Sequence, residues 1–239
     1  MQARRGASMT ALAPDEWQAL ALSLRVGLLA VVLALPFALA LAWLLSRKRF
    51  PGRLLLESVL FLPLILPPVV TGYALLALFG RNGPIGHLLG SIGVVVAFRW
   101  TGAVIAAGVM GFPLLVLSVR AAFDNVDRRL EAAAQTLGAG AWRRFVSITL
   151  PLSARGIVAG CVLAFARAFG EFGATISFVS NIPGETRTLP IAIYELLNVP
   201  GGMPGVQRLA LVSLFVALAA SACATLIAGG APWRKRGDD

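Results

Sequence analysis

Arg167 and Glu171 are the only charged residues between Gly156 and Asn181. An ionisable side chain deep in an apolar stretch is a functional hypothesis by default. A guanidinium there offers fixed positive charge and several hydrogen-bond donors, a chemistry that could line a polar pathway. The spacing of four also puts Glu171 on the same helix face, where it would neutralise Arg167 as a structural pair. Both readings stand, and the pair is the simpler. Thr71, Ser177 and Asn181 add hydroxyl or amide donors that could line the same pathway, although Ser and Thr in helices often bond to their own carbonyls. Arg25, Arg99, Arg187 and Arg208 fall near ends of apolar stretches or in a loop, where interfacial anchoring is the plain expectation. Nothing else looks like a reaction centre. Cys161 and Cys223 lie in apolar stretches without metal-ligand spacing, and His87 is the lone histidine, in a Gly/Pro-rich loop. Neither catalytic residues nor a metal site is expected.

The elements that position these residues must be membrane helices. The chain has 239 residues, 58% hydrophobic and 13% charged, against about 25% charged in soluble domains. Val26 to Ser46, Ser58 to Gly80, Thr101 to Val119 and Leu209 to Trp233 contain no Asp, Glu, Lys or Arg. With Gly156 to Asn181 they predict five spans in an all-α polytopic protein, forming one domain over residues 1–239. A sixth, amino-terminal element is left open. The first apolar stretch is too long for a cleaved signal. Pro36, Pro63, Pro67, Pro68 and Pro113 fall inside the spans and are expected to kink them; "FLPLILPPVVTGYALL" can hardly be one regular helix. Leu189 to Val199 is too short to cross and predicts a re-entrant or interfacial helix.

The net charge of +10 could suggest a nucleic-acid partner, but its distribution argues against one. Arg47, Lys48, Arg49 and Arg53 follow the first span. Arg120, Arg128, Arg129, Arg143, Arg144 and Arg155 lie between the third and fourth, and Arg234, Lys235 and Arg236 follow the last. Basic residues are retained on the cytoplasmic side, so these segments face the cytosol, with the amino terminus outside and the carboxyl terminus inside. Arg4 and Arg5 run against that rule. The segment at about 121–152 is then a cytoplasmic insert. Ala122, Val126, Leu130, Ala133 and Leu137 predict one apolar helical stripe, with Asp124, Asp127, Arg128 and Glu131 off it. Gly138 suits a left-handed helix end. A second short helix fits Ala141 to Ser147, with Trp142, Phe145 and Val146 on its apolar side, and Pro151 is expected to end the segment. Composition alone leaves two fates open for this bent pair, lying on lipid or docking in a partner's groove.

The insert resembles the "EAA" motif of membrane subunits of ATP-binding-cassette (ABC) importers. That motif reads Glu-Ala-Ala, three residues, Gly, nine residues, Ile, one residue, Leu-Pro. Ala133, Ala134, Gly138, Ile148, Leu150 and Pro151 match its spacing, while Glu131 stands one place early and Ala132 fills its slot. The resemblance implies a type I ABC importer permease fold in a bacterial plasma membrane. It also implies that a cytoplasmic coupling helix, including Trp142 and Arg143, inserts into a separate ATP-hydrolysing subunit. The chain has no Gly-x-x-x-x-Gly-Lys-Ser/Thr loop, so it is expected to be no enzyme and to hold no cofactor, ATP being bound by the partner. "FARAFGEFGATISFVSNIPGETRTLPIAIY" is similar to the matching region of molybdate importer permeases. This implies a permease homodimer with two ATP-binding subunits and an outside molybdate-binding protein. Sulfate, thiosulfate and tungstate permeases are the nearest alternatives. An ion-coupled secondary carrier is the rival of another class, but no paired repeat supports it.

Overall fold

The computed structural model describes residues 12–229, and among these it contains helices and turns but no strand. The elements are α1 (Pro14–Arg47), α2 (Arg53–Ile65), α3 (Pro68–Phe79), α4 (Pro84–Ser91), α5 (Trp100–Asp124) and α6 (Arg128–Thr136). Then come α7 (Ala141–Arg144), a π-helical turn (Phe145–Thr149), α8 (Leu150–Phe169), α9 (Gly173–Val179), α10 (Leu189–Leu197) and α11 (Met203–Gly229). Arg4, Arg5, Trp233 and the basic cluster 234–236 lie outside the described residues. No helix precedes α1 among the described residues.

Four helices are long and apolar enough to cross a membrane: α1, α5, the run Ala141–Phe169 and α11. Helices α2 and α3 pass the same test only together, as a pair bent by 113°. The expected second span is therefore broken. Leu66 and Pro67 each precede a proline, a position that disfavours helical backbone, and both are extended, with ψ of 145° and 133°. By contrast α1 and α5 continue as single helices through Pro36 and Pro113. Without a hydrophobic driving force between spans, helices associate in lipid through close packing of small residues. Ala38 and Ala42 of α1, one turn apart, are fully buried, as are Ala103 and Ala106 of α5. Helix α5 packs against α1 and α8 and forms the centre: 61% of its apolar window is buried, against 6% for α11, which rides on the outside.

Three expectations need correction. The stripe from Ala122 to Leu137 is not one helix. Helix α5 ends at Asp124, and α6 starts afresh at Arg128 because Asp127 caps it, its Oδ1 accepting the Arg129 amide (2.9 Å). Pro151 does not end the insert, since the chain runs as one helix from Ala141 to Phe169. A proline ring collides with the carbonyl one turn back. Here the preceding turn is widened to π geometry, with the Leu150 amide donating to the Phe145 carbonyl, which gives the ring room. Finally, Gly156 to Asn181 is not one span. It breaks between α8 and α9, and α9 packs against α3. The expected short helix near 189–199 is present as α10, with Leu189, Ile191 and Ala192 buried.

Candidate functional site

The insert is built on α6 and closed by a glycine. The Ala139 amide donates to Ala134 O (3.0 Å) and the Gly138 amide to Gln135 O (3.0 Å), the paired bonds of a Schellman helix end. Gly138 sits at φ +81°, and a Cβ built there meets nothing within 4 Å. The turn thus needs glycine for its backbone, and the space around it is open. Beyond it the chain re-enters helix at Ala141. Leu137 and Trp142 are 87% and 76% exposed, Leu130 and Val146 are also exposed, and Ala133 and Arg143 point to the surface with them. Phe145 turns inward, edge-on to Trp43 and Phe123. Ile148 and Leu150 are half-buried and Pro151 is exposed.

Glu131 joins this element to the bundle. Its Oε1 accepts from Arg47 Nη2 of α1 (2.7 Å) and from Thr149 Oγ1 of the π-turn (2.6 Å). Arg47 also donates to the Phe123 carbonyl at the end of α5 (3.1 Å). One carboxylate thereby ties α6 to α1 and to the start of α8, and through Arg47 to α5. The surrounding polar residues tighten the same base. Ser46 Oγ donates to Asp124 Oδ1 (2.5 Å), Arg128 Nη2 to Ser46 O (3.2 Å), and Arg144 to Gln135. The two described basic clusters, 47–53 and 120–144, therefore meet at one end of the molecule. Glu131 holds this place although it stands one residue out of the motif's register. The sequence reading did not connect Arg47, Thr149 or Ser46 with this element. Arg47 and Glu131 are 84 positions apart, and no local spacing connects them.

The second candidate lies at the α8–α9 break. Arg167 Nη1 donates to Glu171 Oε2 (2.5 Å), and Glu171 Oε1 accepts the Ala174 amide (2.9 Å), one of the free donors at the start of α9. Glu171 is 3% exposed. The break thus contains the neutralised pair, with Arg167 still about one-third exposed. The face of α9 meets α3 at Gly72, where an added Cβ would sit 2.5 Å from Ala174 O and 2.8 Å from Ser177 Cβ. Thr71 is buried beside it, and its Oγ1 has no hydrogen-bond partner among the described residues. Ser177 Oγ donates to its own helix, at Gly173 O (2.8 Å). Asn181 belongs to a different cluster. Its Nδ2 donates to Glu195 Oε2 (3.0 Å) and its Oδ1 accepts from Arg187 Nε (2.9 Å), while Arg187 and Glu195 pair directly (2.9 Å). The structure therefore brings Thr71 and Ser177 onto two touching helices and leaves Asn181 apart.

Three further arginines singled out in the sequence are engaged. Arg208 holds Glu16 through two bonds (2.7 and 3.1 Å), Arg99 lies 3.6 Å from Glu185, and the Arg25 guanidinium stacks 3.9 Å from the Trp100 ring centroid. Among the described residues no cluster of His, Cys, Asp or Glu could hold a metal.

A helical membrane bundle with a braced, outward-facing helical insert is the fold of ABC importer permeases. A solved bacterial ABC transporter involved in the import of the acidic polysaccharide alginate matches it with a TM-score of 0.67 at 19% identity, over 90% of this chain and 80% of that one. The chain belongs to the family of binding-protein-dependent transport system inner membrane components, whose model matches residues 34–230. It is 58% identical over 208 residues to the molybdenum transport system permease protein ModB of Escherichia coli (strain K12), covering 87% of this chain and 91% of that protein. The ModB of Haemophilus influenzae is 51% identical over 204 residues, covering 85% and 89%. The chain is thus an inner-membrane permease subunit of an ABC transporter.

Proposed function

We propose that this permease carries molybdate into the cell, driven by ATP hydrolysis in a separate subunit. The observation that supports this most is the 58% identity to a molybdenum permease across nearly the full length of both chains. In this reading residues 1–239 form one permease domain, and two copies make the pathway. Two cytoplasmic ATP-binding subunits dock on the insert, and a molybdate-binding protein delivers the anion from outside. The chain itself binds no cofactor.

The geometry supports the following roles. Trp142, Leu137 and Arg143 present an apolar, basic tip of the kind that enters a partner's groove. Glu131 and Arg47 transmit the partner's movement to α1, while Ala133, Ala134, Gly138, Ile148, Leu150 and Pro151 set the shape of the insert. Along the pathway Arg167 supplies positive potential moderated by Glu171, so that a dianion is attracted without being trapped. Thr71 and Ser177 line the same helix pair, and Asn181 sits nearer the outer mouth. The test is reconstitution. The purified chain should bring an ATPase subunit with it, and molybdate-loaded binding protein should raise ATP turnover. Uptake of labelled molybdate should be blocked by excess molybdate and tungstate. Equal block by sulfate would move the assignment to a sulfate carrier, and the absence of an associated ATPase would end it.

A further inference from the structure

Two cavities are stacked along the same three helices. The upper one is an apolar groove of about 610 Å³ between α1, α2 and α5, walled by Phe37, Leu41, Leu56, Leu60, Pro63 and Phe112 among others. The lower one, about 330 Å³, lies where α1 ends, α2 begins and α5 ends. It is lined by Arg47, Lys48, Arg49, Arg53, Arg120 and Arg128, with Asp124 as its one acid. On α1 a single turn separates Leu41 of the groove from Leu45 of the basic pocket, and on α2 less than a turn separates Leu56 from Arg53.

The positive charge is only partly neutralised. Glu57 accepts from both Arg53 (3.0 Å) and Arg120 (2.9 Å), and Glu131 accepts from Arg47. The side chains of Lys48 and Arg49 are exposed and make no ion pair or hydrogen bond among the described residues. Arg47, with 9% of its side chain exposed, keeps a buried Nε without a hydrogen-bond partner among the described residues. A free anion would answer the basic pocket but leave the groove unexplained. A zwitterionic lipid would fill the groove but bring its own cation to the arginines. A lipid with apolar chains and a net negative headgroup answers both.

We propose that α1, α2 and α5 form a binding site for an anionic phospholipid of the inner leaflet, its phosphate on the Lys48–Arg49 rim and an acyl chain in the groove. Basic pockets between spans on the cytoplasmic side have the chemistry to hold such headgroups. The site touches Ser46, Asp124 and Arg128, so the lipid braces the base of the insert.

The test uses the complete transporter in detergent, with phosphatidylglycerol and phosphatidylcholine as probes and native mass spectrometry to count retained lipids. Phosphatidylglycerol should be retained over phosphatidylcholine. The double change Lys48→Gln with Arg49→Gln should lower its retention by about tenfold. Val59→Trp, at a half-exposed position on the groove wall, should also lower it. Should the double variant fail to fold, Arg49→Gln alone, on an exposed side chain, gives the same reading with a smaller loss. Equal retention of the two lipids would overturn the proposal. So would displacement of phosphatidylglycerol by inorganic phosphate with no effect of Val59→Trp, which would mark a free-anion site. Loss of permease pairing in Val59→Trp with lipid retention unchanged would assign the groove to a second copy and overturn it as well.

Discussion

The insert and the α3–α9 pair are both short helical elements set against the long spans, yet they are built in opposite ways. The insert buries none of the residues of α6 or α7. It is fastened by polar bonds among Glu131, Arg47 and Thr149, and shows Leu130, Leu137 and Trp142 to the outside. The α3–α9 pair buries Thr71, Gly72, Ala174, Thr175 and Phe178 and meets at a glycine that leaves no room for a methyl group. The difference separates two requirements. Exposed anchors on a stiffened base suit a surface that receives another protein. A junction among apolar helices pairs its buried carboxylate internally and relies on close packing, because lipid offers no hydrogen bonds. Substitutions in the membrane pair should therefore register as instability, and those at the tip as lost association.

The largest expected effect is at Glu171. Glu171→Ala removes the partner of Arg167 and the acceptor of the Ala174 amide, and should cost about 3–5 kcal/mol, read as thermal unfolding in detergent. The double change with Arg167→Ala should recover part of that stability. If it recovers transport as well, Arg167 is only a structural partner. Next comes Glu131→Ala, which strips two charge-assisted bonds from the insert's base and should cost about 2–3 kcal/mol. Gly72→Val should cost about 1–3 kcal/mol by forcing α3 and α9 apart. A normal melting temperature there would break the contrast between the two regions. Gly138→Val should cost about 1–2 kcal/mol, from left-handed backbone alone, since the space around it is open. Gly138→Asn should restore most of it. Trp142→Ala should leave stability within about 0.5 kcal/mol while abolishing retention of the ATPase subunit in a pull-down. A stable variant that still retains the ATPase would place the insert on the lipid surface.

Much of this was legible in the sequence because it is local. Long uncharged runs located α1, α5 and α11, the charge clusters located one end, and the spacing around Gly138 located the bend. The four-residue step from Arg167 predicted its pairing with Glu171. What could not be read was of two kinds. Helix continuity depends on how a proline is absorbed: Pro36, Pro113 and Pro151 are carried within helices, while Pro67 and Pro68 in succession stop one. The second kind is distant pairing. Glu16 with Arg208 and Arg47 with Glu131 join residues 192 and 84 positions apart, and only the packed fold makes them neighbours. Thr149 shares the Glu131 carboxylate for the same reason.

The unbroken run Ala141–Phe169 has 29 residues, which at 1.5 Å per residue is about 43 Å of rod. Had Pro151 cut it, a push at Trp142 would have been absorbed as local bending. As one rigid member it converts displacement into angle: a tilt of about 5° over that length moves one end about 4 Å relative to the other. The widened turn at Phe145–Thr149 is what lets Pro151 sit inside this run. Under the proposed docking, a few ångströms of travel at the tip would reach Arg167, close to the far end of the same helix, as rotation.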